Sequence, residues 1–150
     1  MINWKLYKFN DLSNQSLYQL LKLRVDVFVV EQNCPYSDLD NYDLQEDVYH
    51  LLGFQDEDLV AYSRLLGPGL KFNGACFGRV VVKKEKRGTG ISDELILNSI
   101  KFCHSLWPQT NIEIQAQEYL LNFYQKFKFV TTSNVYLEDN IPHVDMQLKS

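Results

Sequence analysis

A strand, a glycine-containing loop and a helix follow one another in the middle of the chain, and this unit constrains the fold most strongly. The run ACFGRVVV is rich in apolar and β-branched residues and predicts a strand, which ends at the loop KKEKRGTG. From Ile91 the apolar residues recur at helical spacing for about four turns, until Pro108 stops the helix. The unit therefore predicts a fold that contains both helices and a sheet.

Apolar patterns on both sides of this unit complete the fold prediction. Ser13 is placed to cap a first helix with an apolar stripe from Leu17 to Phe28, and HLLGF, QDED and LVAYSRLL predict a hairpin. Downstream, NIEIQAQ alternates as a strand, and a short helix within YLLNFYQKF precedes two terminal strands. The predicted order is α, β, β, β, α, β, α, β, β, which gives one α/β domain over residues 1–150 with a mixed sheet flanked by helices.

Composition excludes several classes of protein. A net charge of −4 over 150 residues does not supply the basic face that binds nucleic acid, so no nucleic-acid partner is expected. No segment approaches the ~20 apolar residues of a membrane span, and the N-terminus lacks the apolar run of a signal peptide, so we expect a cytoplasmic protein without a membrane partner. The three cysteines form no C-x-x-C pair, which predicts free thiols and no metal site.

Acidic residues are concentrated in the first half of the chain. Ten Asp and Glu residues and no Lys or Arg lie between Arg24 and Arg64, and the segment NCPYSDLDNYDLQED within it predicts a long loop. Such a loop either attracts a cationic amine or is simply solvated, and the sequence leaves both alternatives open. Arg24 falls on the apolar stripe of the first helix and needs a partner, for which Glu31 is a candidate.

The densest basic cluster, by contrast, lies on the glycine loop before the second helix. A helix N-terminus leaves up to four backbone N–H groups without partners and carries about half a positive charge, so it suits an anion. Gly88 and Gly90 remove side chains that would hold a phosphate away from the backbone, and four basic residues around them attract it: Lys83, Lys84, Lys86 and Arg87. A pyrophosphate site is one interpretation, and a solvated turn is the alternative. The Walker and dinucleotide-binding glycine motifs are both absent.

The motifs, taken together, resemble those of one superfamily. The segment Arg87-Gly88-Thr89-Gly90-Ile91-Ser92, between a strand and a helix, resembles the acyl-coenzyme A loop R/Q-x-x-G-x-G/A of the GNAT N-acyltransferases. The later NFYQKFKF is similar to their second signature, a helix that bears a tyrosine just before the next strand. The segments LRVDVFVVEQNCPYSDLD, RVVV, WP, NFYQ and IPH are similar to the ElaA-type branch, so the resemblance extends from the first helix to residue 148.

This resemblance implies a GNAT-like fold and acetyl-coenzyme A as the acyl donor. The backbone of Val80, Val81 and Val82 should align the pantetheine arm and polarise the thioester carbonyl. Backbone amides of the loop should hold the pyrophosphate, namely those of Arg87, Gly88, Thr89, Gly90, Ile91 and Ser92. Gln117 and Asn122 are the remaining candidates for contact with the donor.

Three residues depart from the family pattern. Ser92 stands where the loop has Gly or Ala, so the helix start lies farther from the phosphates or the hydroxyl binds one of them. Gln117 replaces an asparagine that bonds the pantetheine arm, which leaves that contact open. Lys128 replaces a glycine before Phe129, and this affects the turn more than the chemistry.

Candidate catalytic residues follow from the resemblance and from the charges. Tyr124 occupies the position of the family's general acid, which protonates the leaving thiolate, although its apolar stripe alone would make it a core residue. Glu31 is a candidate base, because partial burial after FVV would raise its pKa; the alternative is that it pairs with Arg24. His50 and His143 begin strands and could take a proton from the amine through water, or they are structural. We expect Arg24, Glu31 and His50 to contact the acceptor.

These inferences predict an acetyl-coenzyme A-dependent N-acetyltransferase that acts by direct attack in a ternary complex. The acceptor is a small-molecule or peptide amine whose identity the sequence leaves open. A non-catalytic acyl-coenzyme A sensor or interaction module is the main alternative, and a nucleotide-binding regulator is a second. The oligomeric state is also open, and a homodimer paired across a sheet edge is one arrangement that it permits.

Overall fold

One mixed sheet with helices on both faces forms the centre of the computed structural model, which describes residues 1–150. Its strands are β1 (Asn3–Lys8), β2 (Val48–Gln55), β3 (Asp58–Leu66), β4 (Ala75–Val82), β5 (Ile112–Gln117), β6 (Val130–Thr131), β7 (Tyr136–Glu138) and β8 (Ile141–Leu148). The helices are α1 (Asn14–Arg24), α2 (Ile91–Leu106) and α3 (Leu121–Gln125). The order across the sheet is β1-β2-β3-β4-β5-β8-β6, β7 also pairs with β8, and β4–β5 is the parallel pair. The predicted α/β class is confirmed, and no helix has both the length and the apolar character that crossing a membrane requires.

Two parts of the predicted element order are wrong. Strand β1 was not expected, because its six residues are half-exposed and its alternation is short; the β2 edge supplies the pairing that makes it a strand. Its Trp4 ring lies where a side chain on Gly53 would be, so the glycine makes room for the ring. At the other end, FVTTSNVYL forms the two short strands β6 and β7 instead of one. The intervening polar residues bond to Asp145 of β8: the Thr132 N–H donates to its carbonyl at 2.8 Å, and Ser133 Oγ accepts from its N–H at 2.9 Å.

Helix boundaries follow the local signals closely. Ser13 Oγ accepts a hydrogen bond from the Ser16 N–H at 3.1 Å, so the predicted N-cap of α1 is confirmed. Beyond α1 the chain continues as a π-helix, Val25–Glu31, a wider helix that lines one end of the β4–β5 gap. Helix α2 ends at Leu106, two residues before Pro108, as the proline predicted.

Apolar side chains are buried on both faces of the sheet. On one face α2 contributes Leu95, Ile96 and Cys103 to the larger cluster, which also contains Phe77 and Phe129. On the other face α1 packs leucines against β2, β3 and β4 in a second cluster: Leu20, Leu23, Leu52, Leu59, Tyr62 and Val81. Burying one such side chain contributes roughly 1.5–3 kcal/mol, so these two layers hold the sheet in place from both sides.

Strands β4 and β5 separate soon after they meet. They pair only through Ala75 with Ile112 and Cys76 with Glu113, although both strands continue for several residues. Strand β4 also carries an extra residue relative to β3, since its pairing moves from Gly78 opposite Arg64 to Val81 opposite Tyr62. Such a bulge bends a strand, and here it accompanies the opening of a gap between β4 and β5.

Candidate active site

A cleft of about 590 Å³ occupies the gap between β4 and β5. This volume is in the range of small-molecule sites. The two strands form its walls, and the π-helix, the following loop, α3 and the β7–β8 hairpin close its ends. Nine of the residues predicted from the sequence line it: Glu31, Val80, Val81, Val82, Arg87, Ser92, Gln117, Tyr124 and His143. The separation of the strands therefore brings residues from six different segments into one site.

The glycine loop lies at one end of the cleft and presents an open helix terminus. Gly88 and Gly90 have φ of 77° and 87°, the left-handed region that glycine adopts without steric cost. Thr89 bends the loop back on itself, since its Oγ1 donates to the Lys86 carbonyl at 2.6 Å. Ile91 is buried in the larger core cluster and anchors the first turn of α2. No side chain caps this helix, so its first N–H groups remain available to an anion.

Arg87, at the edge of this loop, is bound to Glu31 across the cleft. Its Nη1 and Nη2 donate to the two carboxylate oxygens of Glu31 at 2.6 and 2.9 Å, and its Nε donates to the Val82 carbonyl at 3.1 Å. The hydrogen bonds from Arg87 lower the pKa of Glu31. The expected rise in this pKa is therefore wrong, because the carboxylate faces a guanidinium and not an apolar surface. The alternative pairing of Glu31 with Arg24 is wrong as well.

Tyr124 is both a core residue and a wall of the cleft. Its ring packs edge-on against Phe123 and Phe129, with centroids 5.3 and 6.0 Å away, which fixes the direction of the side chain. Its hydroxyl makes no hydrogen bond within the chain. The oxygen is not completely enclosed by protein atoms, so it remains accessible from the cleft. Burial raises the pKa of Tyr124, so the phenol holds its proton at neutral pH.

His143 lines the same cleft and has a defined tautomer. Its Nδ1 lies 2.7 Å from the Ile141 carbonyl, which can only accept, so Nδ1 carries the proton and Nε2 the lone pair. No group of the chain bonds to Nε2. The imidazole stacks on Tyr136 with centroids 6.2 Å apart, and the Tyr136 hydroxyl is held by Asp145 at 2.6 Å. The ring is thus oriented from two sides, with its basic nitrogen unoccupied.

Gln117 and Asn122, the two remaining candidates for donor contact, have different surroundings. Gln117 lies at the end of β5 and its Nε2 donates to Gln32 Oε1 at 3.4 Å, a contact that joins the two sides of the cleft. Asn122 is exposed on α3 and does not line the cleft. Gln32 was not singled out by its sequence, because nothing in its local pattern indicates that the π-helix would bring it opposite β5.

Arg24 and His50 do not contact the cleft, so their expected acceptor-binding roles are wrong. Arg24 is fully buried and donates from Nε to Asp38 at 2.8 Å and from Nη1 to Asp43 at 2.8 Å. His50 is 1% exposed, its Nε2 donates to the Asp43 carbonyl at 3.1 Å, and its Nδ1 accepts from the Tyr62 hydroxyl at 2.6 Å. Burial lowers the pKa of His50. Both residues therefore belong to the interior of the protein.

Three aspartates of the acidic loop after the π-helix are paired with arginines, so they are not available to a cationic ligand. These aspartates form an arginine-aspartate cluster with side chains from α1, β3 and β4: Arg24, Arg64 and Arg79 with Asp38, Asp40 and Asp43. Three positive and three negative charges balance in this cluster. The sequence analysis offered solvation or attraction of a cationic amine for these three aspartates. Both alternatives are wrong, because arginines from other segments of the chain pair with them. No group of three or more His, Cys, Asp or Glu side chains is arranged to hold a metal ion.

The sequence did not indicate three further residues that line the cleft. Cys34 and Tyr36 come from the predicted long loop, and the Cys34 Sγ lies 3.6 Å from the Asp139 carbonyl of the β7–β8 turn. Arg79 comes from the bulge of β4 and lies between the cleft and the arginine-aspartate cluster. A basic residue in an apolar strand was the only signal for Arg79, and that signal does not identify its role.

Comparison with known proteins finds similar chains over almost the whole length. A family model described as an acetyltransferase (GNAT) domain matches residues 22–150. The chain is 42% identical to Protein ElaA of Escherichia coli (strain K12) over 146 residues, 97% of this chain and 95% of that protein. A solved structure of an acyl-CoA N-acyltransferase from Pseudomonas aeruginosa matches with a TM-score of 0.93 and 39% identity, over 98% of this chain and 99% of that one. The crystal structure of Escherichia coli ElaA gives a TM-score of 0.92 and 41% identity over the same shares.

Proposed function

Because the chain belongs to the GNAT acetyltransferase family and to its ElaA-type branch, we propose that it transfers an acetyl group from acetyl-coenzyme A to a primary amine. Family and fold together support acyl transfer from an acyl-coenzyme A in general. The observation that carries the more specific proposal is the cleft itself. It joins an uncapped helix terminus, an unpaired strand edge and an unbonded tyrosine hydroxyl.

The donor fits this cleft in one direction. Its pyrophosphate would lie on the backbone N–H groups of residues 87–92, where the glycines let a phosphate approach the main chain. Its pantetheine arm would run along β4 at Val80–Val82, whose edge toward β5 is free because the two strands have already separated. An arm with amide groups can pair with this edge as a strand would. The thioester would then lie between β4 and Tyr124.

Acyl transfer at this position needs a base, a stabilised oxyanion and an acid. His143 Nε2 takes the proton of the amine, directly or through water, as the amine nitrogen forms its bond to the thioester carbon. A backbone N–H of Val80–Val82 stabilises the oxyanion, and the carbon–sulfur bond then breaks. Tyr124 gives its proton to the departing thiolate. Burial raises the pKa of Tyr124, but the thiolate would leave beside this buried hydroxyl, where reduced solvation raises the thiol pKa in the same direction.

Glu31 takes a different part in this scheme from the one its sequence suggested. Its carboxylate is bound to Arg87 at the donor end, and its lowered pKa makes it a weak base. The base is therefore His143, and Glu31 occupies Arg87 at the donor end, where it competes with the pyrophosphate for the guanidinium. The acceptor is a small-molecule or peptide amine.

The first test compares the thermal melt of the protein alone, with acetyl-coenzyme A and with ATP. Acetyl-coenzyme A at 100 times its Kd should add about 2.7 kcal/mol of stability, a shift of several degrees, because only the folded state binds it. An equal shift with ATP would favour the nucleotide-binding regulator. No shift with either ligand would contradict the proposed donor site.

The second test is Tyr124→Phe, assayed by thiol release with a panel of amines. Loss of a general acid should lower kcat by roughly 100-fold while the Kd of acetyl-coenzyme A stays the same, because the hydroxyl acts only on the leaving group. Tyr18→Phe is the matched control, since Tyr18 is exposed on α1 and lies outside the cleft. A wild-type protein that binds acetyl-coenzyme A tightly and releases no thiol with any amine would favour the non-catalytic sensor.

A further inference from the structure

Arg79 has a backbone conformation that its side chain does not favour. Arg79 lies in the bulge of β4, between Gly78 and Val81. Its φ of 50° lies in the left-handed region. Residues other than glycine, asparagine and aspartate rarely adopt this region inside a strand. A contact elsewhere must therefore hold Arg79 in place, because nothing in the local sequence favours the conformation.

The side chain of Arg79 supplies that contact. Its Nη2 donates to the Asp38 carbonyl at 2.9 Å and to Asp40 Oδ2 at 3.2 Å, and its Nε lies 2.9 Å from Asp38 Oδ1. The guanidinium also lies over the Tyr36 ring, 5.4 Å from its centroid. Arg79 is therefore attached at several points to the loop that follows the π-helix.

The loop side of this attachment is itself fixed by buried charges. Asp38 receives a hydrogen bond from Arg24 Nε at 2.8 Å and another from the Tyr36 hydroxyl at 2.6 Å. Asp40 is held by both terminal nitrogens of Arg64, at 2.7 and 2.8 Å. Arg24 and Arg64 are at most 2% exposed. The arginine-aspartate cluster is thus a rigid support, and Arg79 is the member of it that lies on the cleft wall.

We infer that Arg79 is a positioning residue for acyl transfer, which holds the β4 bulge so that the backbone of residues 80–82 faces the thioester. This inference rests on the proposed function. Val80 immediately follows Arg79, and β4 has no partner on its β5 side here. The direction of these amides is therefore set by the bulge and its attachment, together with the pairing of Val81 and Val82 to β3. A displacement of about 1 Å at such a position is enough to lower a rate by roughly 100-fold.

The decisive variant is Arg79→Gly. Glycine adopts a φ of 50° without strain, so the variant removes the ion pairs and leaves the backbone conformation allowed. Asp38 keeps Arg24 and Asp40 keeps Arg64, so neither carboxylate loses all its partners and the protein should fold. We expect kcat to fall by about 10- to 100-fold, with the Kd of coenzyme A within about twofold of wild type, because the glycine loop is untouched.

Two further variants test whether the change in kcat comes from the ion pairs of Arg79. Arg79→Lys keeps a charge that can reach one of the two aspartates, so its kcat should lie between those of wild type and Arg79→Gly. Lys22→Gln is the matched control, because Lys22 forms a surface pair with Asp26 on the helix that carries Arg24 and touches neither the cleft nor the cluster. Its kcat and Kd should equal those of wild type.

Backbone amide exchange provides a readout that does not depend on turnover. In Arg79→Gly and Arg79→Lys, amides of residues 77–82 should exchange faster than in wild type, while those of α2 should not change. Wild-type kcat and exchange in Arg79→Gly would overturn the inference, since the backbone conformation alone would then suffice. If Arg79→Gly does not fold, Arg79→Lys decides by the same two measurements. If the wild type binds acetyl-coenzyme A but acetylates no amine, the proposed function fails, and exchange in residues 77–82 then decides whether Arg79 holds the bulge.

Discussion

Two charged regions of this protein use their charges in opposite ways. The arginine-aspartate cluster is largely buried, and every one of its six side chains is held by another member at hydrogen-bond or ion-pair distance. The glycine loop at residues 83–92 is largely exposed, and the N-terminus of the helix that follows it has no side-chain cap. The first region is complete without a ligand, and the second leaves hydrogen-bond donors for one.

Solvation explains the difference. A charge removed from water needs a partner of opposite sign, so the buried aspartates lie where distant arginines can reach them. A charge on an exposed loop keeps its water and can remain unpaired until an anion displaces that water. The same residue types therefore hold the chain together in one region and are proposed to bind the donor in the other. Arg79 and Arg87, which face the cleft from the two regions, are each held by carboxylates of the chain.

Removing a buried charge should have the largest effect. Arg24→Leu should lower the free energy of unfolding by about 3 kcal/mol, at the lower end of the range for broken buried ion pairs, because Asp38 and Asp43 keep Arg79 and Arg64. Urea denaturation measures this directly. The control is Lys22→Leu, two residues away on the same helix, whose exposed pair with Asp26 should change stability by less than about 0.5 kcal/mol. Equal effects of the two substitutions would contradict the distinction between the regions.

Acid should destabilise the protein through the buried region, in two steps. The folded-state pKa of His50 is lowered from about 6.5, so the unfolded chain binds a proton first and stability falls as the pH drops below 6.5. The maximum slope is about 1.4 kcal/mol per pH unit, and the step ends once the folded His50 is protonated as well.

The second loss of stability begins at a lower pH. The pKa values of Asp40 and Asp43 are lowered from 3.8, despite the opposing effect of burial, because arginines bond to their charged forms. Their contribution is therefore present above about pH 3.8 and is lost as the pH falls through the folded-state values. Urea denaturation at several pH values measures both steps, and His50→Gln should lack the first while keeping the second. If His50→Gln still loses stability just below pH 6.5, another group is responsible for the first step.

The smallest effect is expected at the exposed region. Glu31→Gln removes a negative charge that lies 2.6 Å from Arg87, so a pyrophosphate would meet less repulsion and a freer guanidinium. Coenzyme A should bind a few-fold more tightly, a change of less than about 1 kcal/mol because both side chains are partly exposed. Calorimetric titration of coenzyme A at two salt concentrations tests this, since the gain should shrink at higher salt. Weaker binding would mean that Glu31 orients Arg87 more than it competes for it.

The local elements of the site could be predicted, and the long-range contacts could not. The strand, glycine loop and helix around Gly88 and Gly90 were identified because strand, turn and helix signals depend on neighbouring residues. Tyr124 and Val80–Val82 were placed by resemblance, and the structure brings them to one cleft. Edge strand β1 was missed because its pairing with β2, not its own pattern, makes it a strand.

Charged side chains show the limit most clearly. Arg24 was correctly seen to need a partner, but the candidate was Glu31, whereas Asp38 and Asp43 are the partners in space. Glu31 is bound instead to Arg87, 56 positions along the chain. An ion pair forms between groups that lie a few ångströms apart in space, whatever their separation in the chain. Spacing in the sequence therefore does not indicate which charges will meet.

The sequence by itself determined the class of fold, the glycine loop that opens α2 and the family to which the chain belongs, because each depends on patterns of adjacent residues. The tertiary structure alone decided that the acidic loop is neutralised, that His50 and Arg24 are interior residues and that Arg79 joins the cleft to the cluster. These outcomes depend on which segments the two apolar layers press together. Burial then fixes which charges are paired and which remain available.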